Sequence, residues 1–307
     1  MTKSWRFDDF APEAARFYRE IEQQFSVKLY HPLPAVRFCL NAEDAKRAGR
    51  RSRNPRYAGV LGDYQAPDQE SHLFQDTHGS LPIKGAAYVD LPLLVDALRH
   101  HFRAEGAYED RLFAHDELIK TQTGWFYLGN HYAKVIFCEG AAIRQNPWFC
   151  NLPLTPVKGE TLLCRSDGLS LEQQLHHHEK WLLPYADGTF RIGATYDEKD
   201  LSPEPTAAAR EQLSQAFAAM TREPHPLTII DQLAGVRPST TDARPLLGSH
   251  PTEAGLYLFN GLGSKGASLA PTLSRELSDF IFDGLPLDPT TDLFRWLDAA
   301  TADYENS

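Results

Sequence analysis

The sequence predicts a mixed α/β (α+β) fold of two interleaved lobes, and three observations carry that prediction. Segments of helical period alternate with short apolar runs along the chain. The stretch from Pro153 to about Gly193 holds strand candidates and a hairpin signal instead of helix. The C-terminal third closes with an apolar strand, a glycine-rich turn and a helix. With 307 residues, the chain is long enough for one large or two ordinary domains.

In chain order, a helix is expected from Pro12 to about Gln24. Asp8 or Asp9 lies upstream, Pro12 suits a first turn, and Ala14, Phe17, Ile21 and Phe25 recur at helical spacing. Ala35 to Leu40 reads as a strand. Lys46, Arg47, Arg50, Arg51, Arg53 and Arg56 then form a basic run, either a phosphate-binding patch or a solvated helix end. Short basic runs match the first pattern by chance, which favours the second. Gly59 to Ser80 is polar and reads as loops. Asp90 is a good N-cap for a helix whose apolar face would be Leu91, Leu94, Val95, Leu98 and Phe102, with Gly106 ending it. Trp125 to Leu128 and Ala133 to Cys138 read as strands, the second apolar enough to be covered on both faces. Further strands are expected at 160–164, 180–184 and 189–193, with Asp187-Gly188 as a hairpin turn. A helix follows at about Thr206 to Thr221, then the closing strand at 255–260 and a helix from about Ala267 to Phe282.

Lys and Arg number 31 against 41 Asp and Glu, a formal charge of −10 that disfavours general attraction to nucleic acid or an anionic membrane. No apolar run approaches the ~20 residues needed to cross a bilayer. Cys39, Cys138, Cys150 and Cys164 sit among apolar neighbours without CxxC spacing, so buried reduced thiols and a cytoplasmic location are expected, with no metal site. His176, His177 and His178 cannot all face one ion from a strand, because alternate side chains point to opposite faces. A packed or solvated run is expected there.

Gly261-Leu-Gly263-Ser-Lys-Gly266 matches G-x-G-x-x-G between a strand and a helix. A complete dinucleotide unit would continue into a second parallel strand ending in an acidic residue, whereas here the helix runs into the loop Asp283 to Pro289. What remains is bare backbone and a helix N-terminus, which together favour a negatively charged group; a purely structural turn is the alternative. Upstream, Arg237-Pro-Ser-Thr-Thr-Asp242-Ala-Arg244 could present a rigid guanidinium fork to a carboxylate, or Arg237 could simply pair with Asp242 or a backbone carbonyl.

The ordered set of motifs Gly85-Ala-Ala-Tyr-Val-Asp, Val135-Ile-Phe-Cys-Glu-Gly140-Ala, Leu154-Thr-Pro-Val-Lys-Gly159, Trp181-Leu-Leu-Pro-Tyr, Gly235-Val-Arg-Pro-Ser and Gly261 to Pro271 resembles the D-amino-acid oxidase/glycine oxidase family of FAD-dependent oxidoreductases over nearly the whole chain. The resemblance implies a Rossmann-like FAD-binding lobe (81–150 and 229–307) interleaved with a β-rich substrate lobe (1–80 and 151–228). It implies that Gly140 and Ala141 pass under the FAD diphosphate. Gly261, Gly263, Ser264, Lys265, Gly266, Ala267 and Ser268 would face the flavin ring, and Arg237 would bind a substrate carboxylate. It names no acid or base, and it gives neither Lys158 nor Tyr185 a role.

Family members begin with a strand, a glycine turn, a helix and a second strand that bind the ADP half of FAD; nothing similar precedes Met1. The FAD-binding lobe is therefore expected to be incomplete, with an open edge on the strand at 135–138, Lys3 and Trp5 near the flavin position, and weakened FAD retention. The implied activity is oxidation of a C–N bond of an amine or amino acid by hydride transfer to flavin. One alternative is a truncated, non-catalytic homologue or interaction module. Another is a flavoprotein of tRNA modification, supported only by the basic run at 46–56.

Overall fold

Capping side chains set where most of the helices begin. The structure, a computed structural model, describes residues 6–69 and 72–296, so Lys3 and Trp5 lie outside the described residues. Five α-helices lie among them: α1 (Phe7–Phe25), α2 (Ala42–Ser52), α3 (Leu91–Ala104), α4 (Ala207–Met220) and α5 (Gly266–Asp283). The side chains of Asn41, Asp90 and Thr206 accept from the backbone N–H three residues on, at 2.9, 3.0 and 3.2 Å, and so start α2, α3 and α4. Gly284, in the left-handed region at φ 70°, closes α5.

The chain forms two compact units: Met1–Leu29, Val89–Val157 and Val236–Ser307 in the first, Tyr30–Tyr88 and Lys158–Gly235 in the second. The opening helix thus groups with the C-terminal segment, where the sequence placed residues 1–80 in the other lobe. Long-range packing explains the difference. Phe10, 2% exposed, joins Leu247, Leu269, Leu273, Leu277 and Leu287 in one core cluster, and Glu13 pairs with Arg275. The same burial extends α1 back to Phe7, leaving Pro12 inside the helix instead of in its first turn. Arg6 ties the start of α1 down through Glu276 at 2.6 Å and Asp288 at 3.3 Å.

In the first unit, strand Leu256–Asn260 lies between Leu246–Ser249, antiparallel, and Val135–Phe137, parallel. Leu247 belongs to the core shared with α1 and α5, whereas Leu246, Leu256, Leu258 and Phe137 join an aromatic-rich core with Trp125, Phe149 and Leu293. Strand Val135–Phe137 pairs on one side only among the described residues, and Ile136 is 44% exposed. The expectation of cover on both faces fails there. It fails also for α3, of whose apolar face only Leu94 is buried, while Leu91, Val95 and Phe102 are exposed.

The second unit is built on a seven-stranded sheet in the order Thr228–Arg237, Val157–Arg165, Phe190–Gly193, Trp181–Pro184, Leu175–His177, Ala35–Phe38, Ser80–Ile83. Its two longest strands run on into the first unit at Val157 and Val236. One cross-strand row runs Leu162, Ile192, Leu182, His176, Val36, and Leu213, Phe217 and Met220 of α4 belong to the same core. The ten-residue strand Thr228–Arg237 was not expected. Its exposure alternates irregularly, because Gln232 is buried for its hydrogen bonds and not for apolar area.

Cys39 and Cys164 are buried as expected. Cys138 and Cys150 are exposed, a correction that follows from the uncovered end of the 135–137 strand and from the loop after the 140–145 turn. All four thiols are free. Among the described residues, no helix is long and apolar enough to cross a membrane, and no group of three or more His, Cys, Asp or Glu is placed to hold a metal ion.

Candidate functional site

Two glycine turns of the first unit meet through one asparagine. Strand Leu256–Asn260 ends on Asn260, 3% exposed, whose Nδ2 donates to the Gly140 carbonyl at 3.0 Å while its Oδ1 accepts from Gly261 N–H at 2.8 Å. A single buried side chain thus fixes the start of both turns singled out in the sequence. Glu139, just before Gly140, is held in turn by the His115 ring at 2.7 Å and by Asn146 Nδ2 at 2.8 Å. Asn260 lies outside the motifs of the sequence, and Glu139, though inside one of them, has no role there; only the three-dimensional pairing of strands 135–137 and 256–260 reveals what they hold.

Glycine is required at Gly261, where φ is 72° and a Cβ would come within 2.9 Å of the Thr240 methyl and 3.1 Å of Leu246 N. Gly140, at φ 57°, has open space where a Cβ would project, so conformation alone demands glycine there. Gly263 N–H donates to the Pro238 carbonyl at 3.2 Å, and a Cβ on Gly263 would stand 3.5 Å from Ser239 Oγ. The segment Arg237-Pro238-Ser239 therefore lies directly on the glycine turn. Arg237 itself is half-buried at the end of its strand. Asp242 pairs with Arg295 Nε at 3.0 Å and accepts from Thr240 Oγ1 and Arg244 N–H.

Gly263, Ser264 and Lys265 make a single 3₁₀ turn that leads into α5 at Gly266, with Ser264 and Lys265 exposed. No side chain caps α5, and its first turn holds no acidic residue. The backbone N–H groups of an uncapped helix start suit an acceptor or anion brought by a ligand. Ala267 and Ser268 occupy that first turn. The buried Tyr18 of α1 donates its hydroxyl to the Ala267 carbonyl at 2.7 Å, and Ser268 Oγ donates to the Lys265 carbonyl at 3.0 Å. Burial raises the Tyr18 phenol to about 12, so it stays a donor throughout the neutral range.

Ala141 follows Gly140 in the 3₁₀ turn Gly140–Gln145, which has no side-chain cap either. The fold therefore brings Gly140 and Gly261 to one asparagine, with Ala141 next along the turn, and Pro238, the neighbour of Arg237, to Gly263. Lys158 and Tyr185 belong to the second unit. There Lys158, 1% exposed, donates to Asp200 Oδ2 and to the Glu204 carbonyl, both at 2.6 Å, a buried tie between the sheet and the 200–204 loop.

A family model described as FAD dependent oxidoreductase matches residues 2–280. The chain belongs to this family. Among curated relatives, glycine oxidase of Bacillus licheniformis is 30% identical over 152 residues, covering 50% of this chain and 40% of that one. Glycine oxidase of Bacillus subtilis is 29% identical over 169 residues, 54% of this chain and 44% of that one. The chain thus matches less than half the length of these relatives. Glycine oxidase of Geobacillus kaustophilus shares the fold with a TM-score of 0.76 at 20% identity, over 95% of this chain and 84% of that one. Iminodiacetate oxidase of Chelativorans sp. BNC1 gives a TM-score of 0.75 at 21% identity, over 92% of this chain and 83% of that one.

The family uses FAD, and this chain's residues fit such a group on two counts. Backbone at Gly140 borders open space at a left-handed φ of 57°, and the start of α5 supplies N–H groups that no side chain of its cap satisfies.

Proposed function

We propose that this family member oxidises the C–N bond of a small amine or amino acid, with FAD held by Gly140, Ala141 and the segment Gly261 to Ser268. Bound flavin would supply the acceptor for a hydride leaving the carbon that bears nitrogen. Arg237 would pair with the substrate carboxylate, its planar fork fixing both the position and the rotation of that group. The start of α5 would favour negative charge on whatever sits against it, which lowers the cost of charge arriving there. Tyr18 and Asn260 hold the turn in place, so these donors need no reorganisation during the reaction.

The observation that carries this reading is the hydrogen bond from Gly263 N–H to the Pro238 carbonyl at 3.2 Å. That bond supports the reading because Pro238 follows Arg237, the residue proposed for the carboxylate, and Gly263 belongs to the turn proposed for the flavin. The names of the curated relatives, glycine oxidases, supply the substrate class. The test is anaerobic spectrophotometry of the FAD-loaded protein during titration with glycine, N-methylglycine and other small amino acids. Loss of the oxidised flavin absorbance with at least one of them supports the reading. A spectrum unmoved by all of them, while dithionite still bleaches it, contradicts it.

A further inference from the structure

We propose that the exposed flank of α2 is a binding site for a small phosphorylated ligand with a planar ring, of the nucleoside polyphosphate class. The site lies wholly in the second unit, apart from the glycine turns. A shallow, solvent-open depression of about 560 Å³ is lined by Glu43, Lys46, Gly49, Arg50, Arg53 and Tyr64 among others. That volume suits a nucleotide-sized molecule.

Three features of this flank meet on one face. Lys46, Arg50 and Arg53 recur at i, i+4 and i+7, one stripe running along about 10 Å of helix. Neighbouring charges on the same helix and strand are paired: Arg47 with Glu43 at 3.3 Å and Arg37 with Asp44 at 2.7 Å. Lys46, Arg50 and Arg53 make no hydrogen bond or ion pair among the described residues, so like charges stand one turn apart with nothing between them. The carbonyl end of α2 favours Arg50 and Arg53 but not Lys46, which lies a turn earlier.

Gly49 is the second feature. In a helix interior glycine costs about 1 kcal/mol against alanine. Here its φ is ordinary, and a Cβ would meet only Tyr64 Cγ at 4.0 Å, so neither conformation nor crowding requires glycine. Its missing side chain leaves the Tyr64 ring open to the depression that both line. Tyr64 is the third feature. Its hydroxyl donates to the His78 carbonyl at 2.9 Å and its ring packs beside the cluster of Cys39, Ala48, Leu61 and Leu81, which makes it a fixed platform instead of a mobile surface side chain.

The three cations match a chain of phosphates and the ring face a planar base. The overall charge of −10 repels a long polyanion beyond this patch, which favours a small ligand over a nucleic acid strand.

Calorimetric titration of the FAD-loaded full chain with GTP, whose base FAD lacks, tests the assignment. Saturable binding is expected, weakened about tenfold or more in Arg50→Ala/Arg53→Ala. Gly49→Ala should also bind more weakly while melting at a higher temperature, a combination that unfolding cannot produce. Inorganic tripolyphosphate should compete, less tightly than GTP. Absence of GTP binding, indifference to the double substitution, or capture of single-stranded RNA in place of GTP would each overturn the proposal. Because the variants lie outside the glycine turns, flavin loading reports separately on the oxidase reading.

Discussion

Asn260 is where the account is most exposed at the scale of single residues. Asn260→Leu leaves the Gly140 carbonyl and the buried Gly261 N–H without their partner, a loss of about 1–3 kcal/mol. Asn260→Asp keeps the acceptor for Gly261 N–H but sets a carboxylate oxygen against the Gly140 carbonyl. Both variants should weaken FAD uptake roughly tenfold or more, measured by flavin fluorescence. Arg237→Lys retains the charge but not the fork, so it should raise KM for a carboxylate substrate about tenfold and leave the bound-flavin spectrum unchanged. Gly140, Gly261 and Gly263 were legible in the sequence because a positive φ leaves glycine as its trace. Asn260 and Tyr18 were not, because their hydrogen bonds span 120 and 249 positions and leave no local pattern.

At the scale of elements, the histidine strand Leu175–His177 makes the second unit sensitive to acid. His176 lies in the core row between Leu182 and Val36, against the Phe74 ring at 4.3 Å, and His178 stacks on Phe38 at 4.1 Å. Among the described residues, neither ring nitrogen of His176 has a hydrogen-bond partner. Burial pushes His176 down from 6.5 to about 4 and His178 to about 3. Arg37 on the adjacent strand opposes a proton on His177 as well. Unfolded histidine binds its proton first, so the stability of the neutral rings is complete above about pH 6.5 and drains away as pH falls toward the folded values. Over that window His176 alone accounts for roughly 3 kcal/mol. Urea melts at about pH 7 and about pH 5 should show a large loss in the wild type and a smaller one in His176→Phe. Equal losses would show that the ring is not the sensor.

The elements themselves were read unevenly. Asp90 and Thr206 announced their helices, because a cap is a local interaction. The start of α1 was misplaced because Phe10, buried against α5, outweighs the local preference of Pro12. The apolar stripe of α3 was legible but its burial was not, since periodicity says which face is apolar and not whether anything covers it.

For the whole molecule, the interleaving of two units was visible as a β-rich run set between helical segments, while the boundary at Leu29 depended on the pairing of α1 with α5. Membership of the FAD-dependent oxidoreductase family rests on residues 2–280 together. The glycine turns carry the chemistry proposed for it. The most direct measurement is an equilibrium titration of the purified chain with FAD, followed by visible circular dichroism of the flavin and repeated on Asn260→Asp. Saturable uptake of one FAD per chain, weakened about tenfold or more by the substitution, is the predicted result. No saturable uptake, or uptake equal in the two proteins, would contradict the account.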